Sequence, residues 1–101
     1  MRHLAIGALV ALPIMLAPNA SADVDADFAA QMQVVGIYGQ RDYNAWLAKI
    51  TCTRLATGVD ADARASAAFL FENLDATTDQ VWQFLGAGLR AYCPENLAKL
   101  S

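Results

Sequence analysis

From about residue 24 onward, apolar side chains recur at steps of three and four, the period of an α-helix. The recurrence breaks where glycine, proline or a capping residue stands. In the first segment Val24, Phe28, Met32 and Val35 share a face. Asp23, Asp25 and Asp27 fall in its first turn, where the helix dipole favours negative charge. Gly36 suits a left-handed C′ position, with Ile37 folding back on Met32, and residues 38–41 form a turn. The second segment, about 42–57, ends at Gly58 and carries two apolar sides: Tyr43, Trp46 and Ile50 cluster on one, Ala48, Cys52 and Leu55 roughly opposite. A helix of that kind is expected between neighbours.

Asp60 or Asp62 can cap a third helix striped by Ala63, Ala67, Leu70 and Leu74, with Phe71 beside the stripe and Phe69 pointing away from it. The fourth helix opens with Thr77 and, three residues on, Gln80, the spacing of a capping box. Val81, Trp82, Leu85, Gly88, Leu89 and Tyr92 then line one broad face, Cys93 lies at its edge and Phe84 about 100° away. Pro94 stops the helix, and residues 95–101 add at most one turn, anchored by Leu97 and Leu100.

The amino terminus has a different pattern. Met1, Arg2 and His3 make a short basic region, and an apolar run to Ala17 is broken only by Pro13. The run is short for a bilayer span, which needs about 20 apolar residues, and Ala20 and Ala22 put small residues where signal peptidase requires them. Residues 1–22 therefore read as a cleavable secretory signal, removed between Ala22 and Asp23, and 23–101 as a single exported domain without a membrane anchor. No cysteine follows the apolar run to carry a lipid.

Cleavage changes the chemistry available. It removes His3, the one histidine, and Arg2, one of seven basic residues, while all ten acidic residues remain, for a net charge of −4. Such a chain repels phosphate backbones and anionic lipid, so nucleic acid is not an expected partner. In an oxidising compartment the two cysteines, Cys52 and Cys93, are expected to form a structural disulfide. Closing a loop of about 42 residues is worth roughly 4 kcal/mol on the chain-entropy estimate, and there is no C-x-x-C turn to favour redox chemistry. With Cys52 turned toward the fourth helix, the Trp46 side of the second is left for the first helix, a partner or a ligand.

No catalytic constellation emerges. Without histidine, acid-base work falls to carboxylates, lysines and tyrosines, and neither Ser66 nor Ser101 has an evident base. The aspartates at 23, 25 and 27 resemble the opening of a calcium loop, but Phe28 stands where that loop needs glycine and Val34 where it needs glutamate. Zinc lacks ligands. The chain thus reads as non-enzymatic and without a cofactor.

The ordered set of Asp27 and Phe28, Met32, Gly36 and Ile37, then Cys52, Leu55 and Gly58, and finally Tyr92, Cys93 and Pro94 resembles the small exported proteins of mycobacteria and related actinobacteria grouped as domain of unknown function 732. The resemblance covers nearly all of the mature chain. It implies an exported helical domain with one disulfide and brings no established activity. The expectation is an all-α domain of four short helices, the second and fourth joined by Cys52 and Cys93, acting in the cell envelope or medium as a binding or protein-interaction module. Trp46, Phe69 and Phe84 are its candidate interaction surface. The alternative is a carrier of a small apolar ligand, lipid or haem, in which Tyr38, Tyr43 or Tyr92 would ligate the haem iron.

Overall fold

The computed structural model describes the backbone of residues 20–100 and the side chains of residues 23–100. Most of the expected signal segment lies outside these residues. The described chain is helical: α1 (Ala20–Val35), α2 (Arg41–Thr57), α3 (Ala63–Asn73), α4 (Thr78–Tyr92) and a closing 3₁₀ helix, η1 (Pro94–Leu100). The four expected α-helices are present in order. The differences lie at the ends, since α1 starts at Ala20, on the far side of the expected cleavage point, and the tail from Pro94 makes seven residues of 3₁₀ helix.

Local chemistry explains most of the boundaries. Gly36 sits at φ 94°, its N–H meeting the carbonyl of Gln33 at 3.2 Å while the Ile37 N–H reaches that of Met32 at 2.8 Å, the paired bonds of a Schellman motif. Ile37 and Met32 are both in the core. Gly58 ends α2 at φ 82°. Asp62 caps α3 by accepting the Ala65 N–H at 2.9 Å. At α4 both halves of the capping box form: the Thr77 hydroxyl accepts the Gln80 N–H, and the Gln80 side chain accepts the Thr77 N–H.

The centre of the domain is α4, which packs against α1, α2, α3 and η1. From Phe84 to Leu89 six consecutive residues are buried, so this helix is covered nearly all round rather than on one stripe. Phe84 is 0% exposed and meets Phe28 of α1 edge to face, the ring centres 5.2 Å apart. On another side α2 and α4 approach closely: a Cβ at Gly88 would lie 3.1 Å from the Cβ of Ala48. Around this axis Phe28, Met32, Leu47, Leu55, Leu70, Val81, Leu85 and Leu89 make the core, with Leu97 and Leu100 of η1 packed against it as expected.

Candidate functional site

The disulfide forms the strongest local constellation. Cys52 on α2 and Cys93, the residue that ends α4, are bonded with their Cα atoms 6.0 Å apart. One residue earlier, the Tyr92 hydroxyl donates to the Asp25 carboxylate of α1. Lys49 of α2 reaches the same carboxylate at 3.5 Å and lies 5.3 Å from the centre of the Tyr92 ring. The ring also packs edge to face against Phe28, at 5.6 Å. One residue after the bridge, Pro94 opens η1. Tyr-Cys-Pro is therefore a corner: Tyr92 ties α4 to α1, Cys93 ties it to α2, and Pro94 turns the chain. Burial, followed by the bond to Asp25, raises the Tyr92 phenol well above its usual value, so the hydroxyl stays protonated and acts as a donor. Because α1 begins at Ala20, Asp23 alone of the three aspartates expected in its first turn stands there, and Asp25 instead has structural partners in Tyr92 and Lys49.

A second polar cluster holds the α2–α3 connection. Asp60, one of the two residues expected to cap α3, is 3% exposed. Its carboxylate accepts two bonds from the Arg54 guanidinium, at 2.8 and 3.0 Å, and one from the Ser66 hydroxyl at 2.9 Å. The Asp60 N–H also bonds the Arg54 carbonyl, which folds the turn after Gly58 back onto α2. The guanidinium stacks on Phe69, 3.9 Å from the ring centre. Its pKa is raised, first through the bond to Asp60. Because Asp62 takes the capping position, Asp60 is left to turn inward.

Of the three aromatics expected to form an interaction surface, one is exposed. Trp46 stands 54% exposed on the outer side of α2 beside Tyr43, the ring centres 5.8 Å apart, and Tyr43 donates to the Asn73 carbonyl at 2.9 Å. Phe69 is half-buried under Arg54 and against the core. Phe84 is wholly buried, because α4 has neighbours on almost every side and a residue 100° off its main face still points at α1. A single surface of Trp46, Phe69 and Phe84 does not exist in this fold.

An exposed apolar face does occur elsewhere, centred on Trp82, which had been placed on the buried face of α4. Trp82 is 40% exposed and lines three neighbouring depressions. One is a groove of about 450 Å³ between α1 and α4, with Met32, Val34 and Val35 on one wall, Trp82 on the other, Gly86 in its floor and Arg90 at its end. The second, about 360 Å³, lies between α3 and α4 and includes Phe71 and Arg64. Val34 is 88% exposed and Phe71 53%. The third, about 230 Å³, is bounded by Asp62, Arg64 and the end of η1. No local sequence mark singles out this face, because it depends on which sides of α1, α3 and α4 the packing leaves uncovered.

Among the described residues no group of three potential metal ligands lies together, and no helix is long and apolar enough to cross a membrane. No solved structure matches the chain. Two curated relatives, the "Uncharacterized protein Rv0559c" of Mycobacterium tuberculosis strain H37Rv and the "Uncharacterized protein MT0585" of strain CDC 1551, are each 50% identical over 97 residues, covering 94% of this chain and 87% of the relative. The model of the family described as "Protein of unknown function (DUF732)" matches residues 23–95, from the start of the expected mature domain to one residue past the Tyr-Cys-Pro corner, and the chain belongs to that family.

Proposed function

We propose that this is an exported interaction module that docks a partner protein on the Trp82 face. The observation that carries the reading is the grouping of exposed apolar residues from three helices, Val34, Phe71 and Trp82, around adjoining grooves. Tryptophan at the centre of such a face is the side chain that most often dominates an interface. Export is supported by the signal pattern of residues 1–22, by the disulfide and by a family match that begins at Asp23. A binding role rather than catalysis is supported by the absence of histidine after His3 and by the structural engagement of Asp25 and Asp60. The ligand-carrier reading rests on groove volumes within the range of small-molecule sites. These grooves are open along their length, which fits a partner's surface better than an enclosed lipid or haem.

The test is site-specific photo-cross-linking in the producing cells, with a benzophenone amino acid at position 34, 71 or 59. Val59 is as exposed as the others but lines none of the grooves. Protein adducts at 34 and 71 but not at 59 are expected. Equal labelling at all three, or none, would sink the docking reading, and a low-mass adduct at 34 and 71 would move it to the carrier. Intact mass of the same exported protein checks for cleavage after Ala22.

A further inference from the structure

Six basic residues stand between positions 23 and 100. Arg41, Lys49 and Arg54 pair with Asp42, Asp25 and Asp60, and Lys99 donates to the Leu55 carbonyl. Among the described residues, the side chains of Arg64 and Arg90 make no ion pair or hydrogen bond, although acidic residues outnumber basic ones in the chain. Both line depressions walled by Trp82. Arg64 shares its groove with Glu72, which offsets its charge. The α1–α4 groove is different: Arg90 is its one charged lining residue. The guanidinium folds back along α4 over the floor, close enough that a Cβ at Gly86 would lie 3.4 Å from Nη1.

We infer that the α1–α4 groove takes an acidic amphipathic helix of a partner protein, its apolar side against Val34, Val35 and Trp82 and a carboxylate on Arg90. This rests on the docking reading above and names the chemistry of the partner. A groove between two packed helices has the shape that receives a third. From Trp82 to Arg90 it runs about 12 Å along α4, at 1.5 Å per residue, or a little over two turns of a partner helix. Folded over Gly86, the Arg90 guanidinium lies within the groove, where it offers a carboxylate of that helix two parallel bonds. An anionic membrane surface carries the same negative charge but is flat, and does not fill a groove lined from both α1 and α4 as a helix does.

The experiment uses the full mature, disulfide-bonded domain carrying Trp46→Phe, so that Trp82 is the sole tryptophan and its emission reports binding on its face, the Arg90 and Arg64 variants telling the grooves apart. The probes are an 18-residue helical peptide with leucine at three- and four-residue steps flanked by glutamates, the same peptide with lysines, and phosphatidylglycerol vesicles. The glutamate peptide should shift Trp82 emission to the blue, saturably, and bind roughly tenfold tighter than the lysine peptide at low salt, the difference between gaining and opposing one exposed charge contact. Arg90→Gln should erase that preference and Arg90→Glu reverse it, while Arg64→Gln leaves it standing. Equal affinity for both peptides, or a preference unmoved by Arg90→Glu, overturns the acidic-helix assignment while leaving docking on this face intact. A shift with vesicles alone, or with no probe, overturns it too; docking itself stands or falls separately on the cross-linking at 34 and 71.

Discussion

Removing both cysteines, as Cys52→Ala with Cys93→Ala, tests the source of this domain's stability. The bridge spans 41 positions. On the chain-entropy estimate, closing a loop of that size removes about 13 cal/mol/K from the unfolded ensemble, or about 4 kcal/mol at 25 °C. Small domains have about 5–15 kcal/mol in total, and one of this size lies toward the lower end. The loss is therefore a large share, equivalent to a fall in Tm of roughly 20 °C at 4–8 °C per kcal/mol. Alanine is chosen because Cys93 is buried, where a serine hydroxyl would add its own cost. The assay is urea unfolding followed by helical circular dichroism, for the oxidised protein, the reduced protein and the double variant. The oxidised midpoint should be well above the other two, and those two should agree, since both lack the same constraint. Far-ultraviolet spectra in the absence of urea should remain helical in all three, because most of the core, from Phe28 to Leu89, is made by other side chains. A double variant within about 1 kcal/mol of the oxidised protein would refute the reasoning.

Phe84→Ala should cost about 3–5 kcal/mol as a buried aromatic in contact with Phe28, whereas Trp46→Ala should cost under about 1; comparable urea midpoints for the two would contradict the division between core and surface. Asp60→Ala should lower stability by about 2 kcal/mol, since it strands the buried Ser66 hydroxyl, and Ser66→Ala in the same background should recover part of the loss. The Tyr92 phenol is raised in the folded protein, so its contribution to stability is complete below the unfolded value near 10 and declines as pH rises past it, when the unfolded chain releases that proton first. Tyr92→Phe should be less stable at pH 7 and show a shallower alkaline decline; identical slopes between pH 9 and 11 would remove Tyr92 as the cause.

Segmentation of this chain was legible because its signals are local. A helix end is set by one residue's φ and by bonds reaching three to five positions along the chain, so Gly36, Gly58, Asp62, Thr77 with Gln80, and Pro94 each acted where the sequence placed them. The disulfide was legible for a related reason: two cysteines have one pairing available within the chain. Which side of each helix is buried was harder, since that depends on how many neighbours surround it. A one-stripe reading of α4 put Trp82 inside and Phe84 outside, and the packing reversed them, because α4 is enclosed at Phe84 and open at Trp82. Asp60 carries no sequence mark that separates it from Asp62; that it turns inward follows from Arg54 and Ser66 arriving on either side of it. Periodicity and capping thus determined the helices, and the presence of two cysteines the bridge between them, whereas the face left open, the carboxylates taken into the structure and the groove beside Arg90 were decided by tertiary packing, which alone fixes which distant surfaces cover one another.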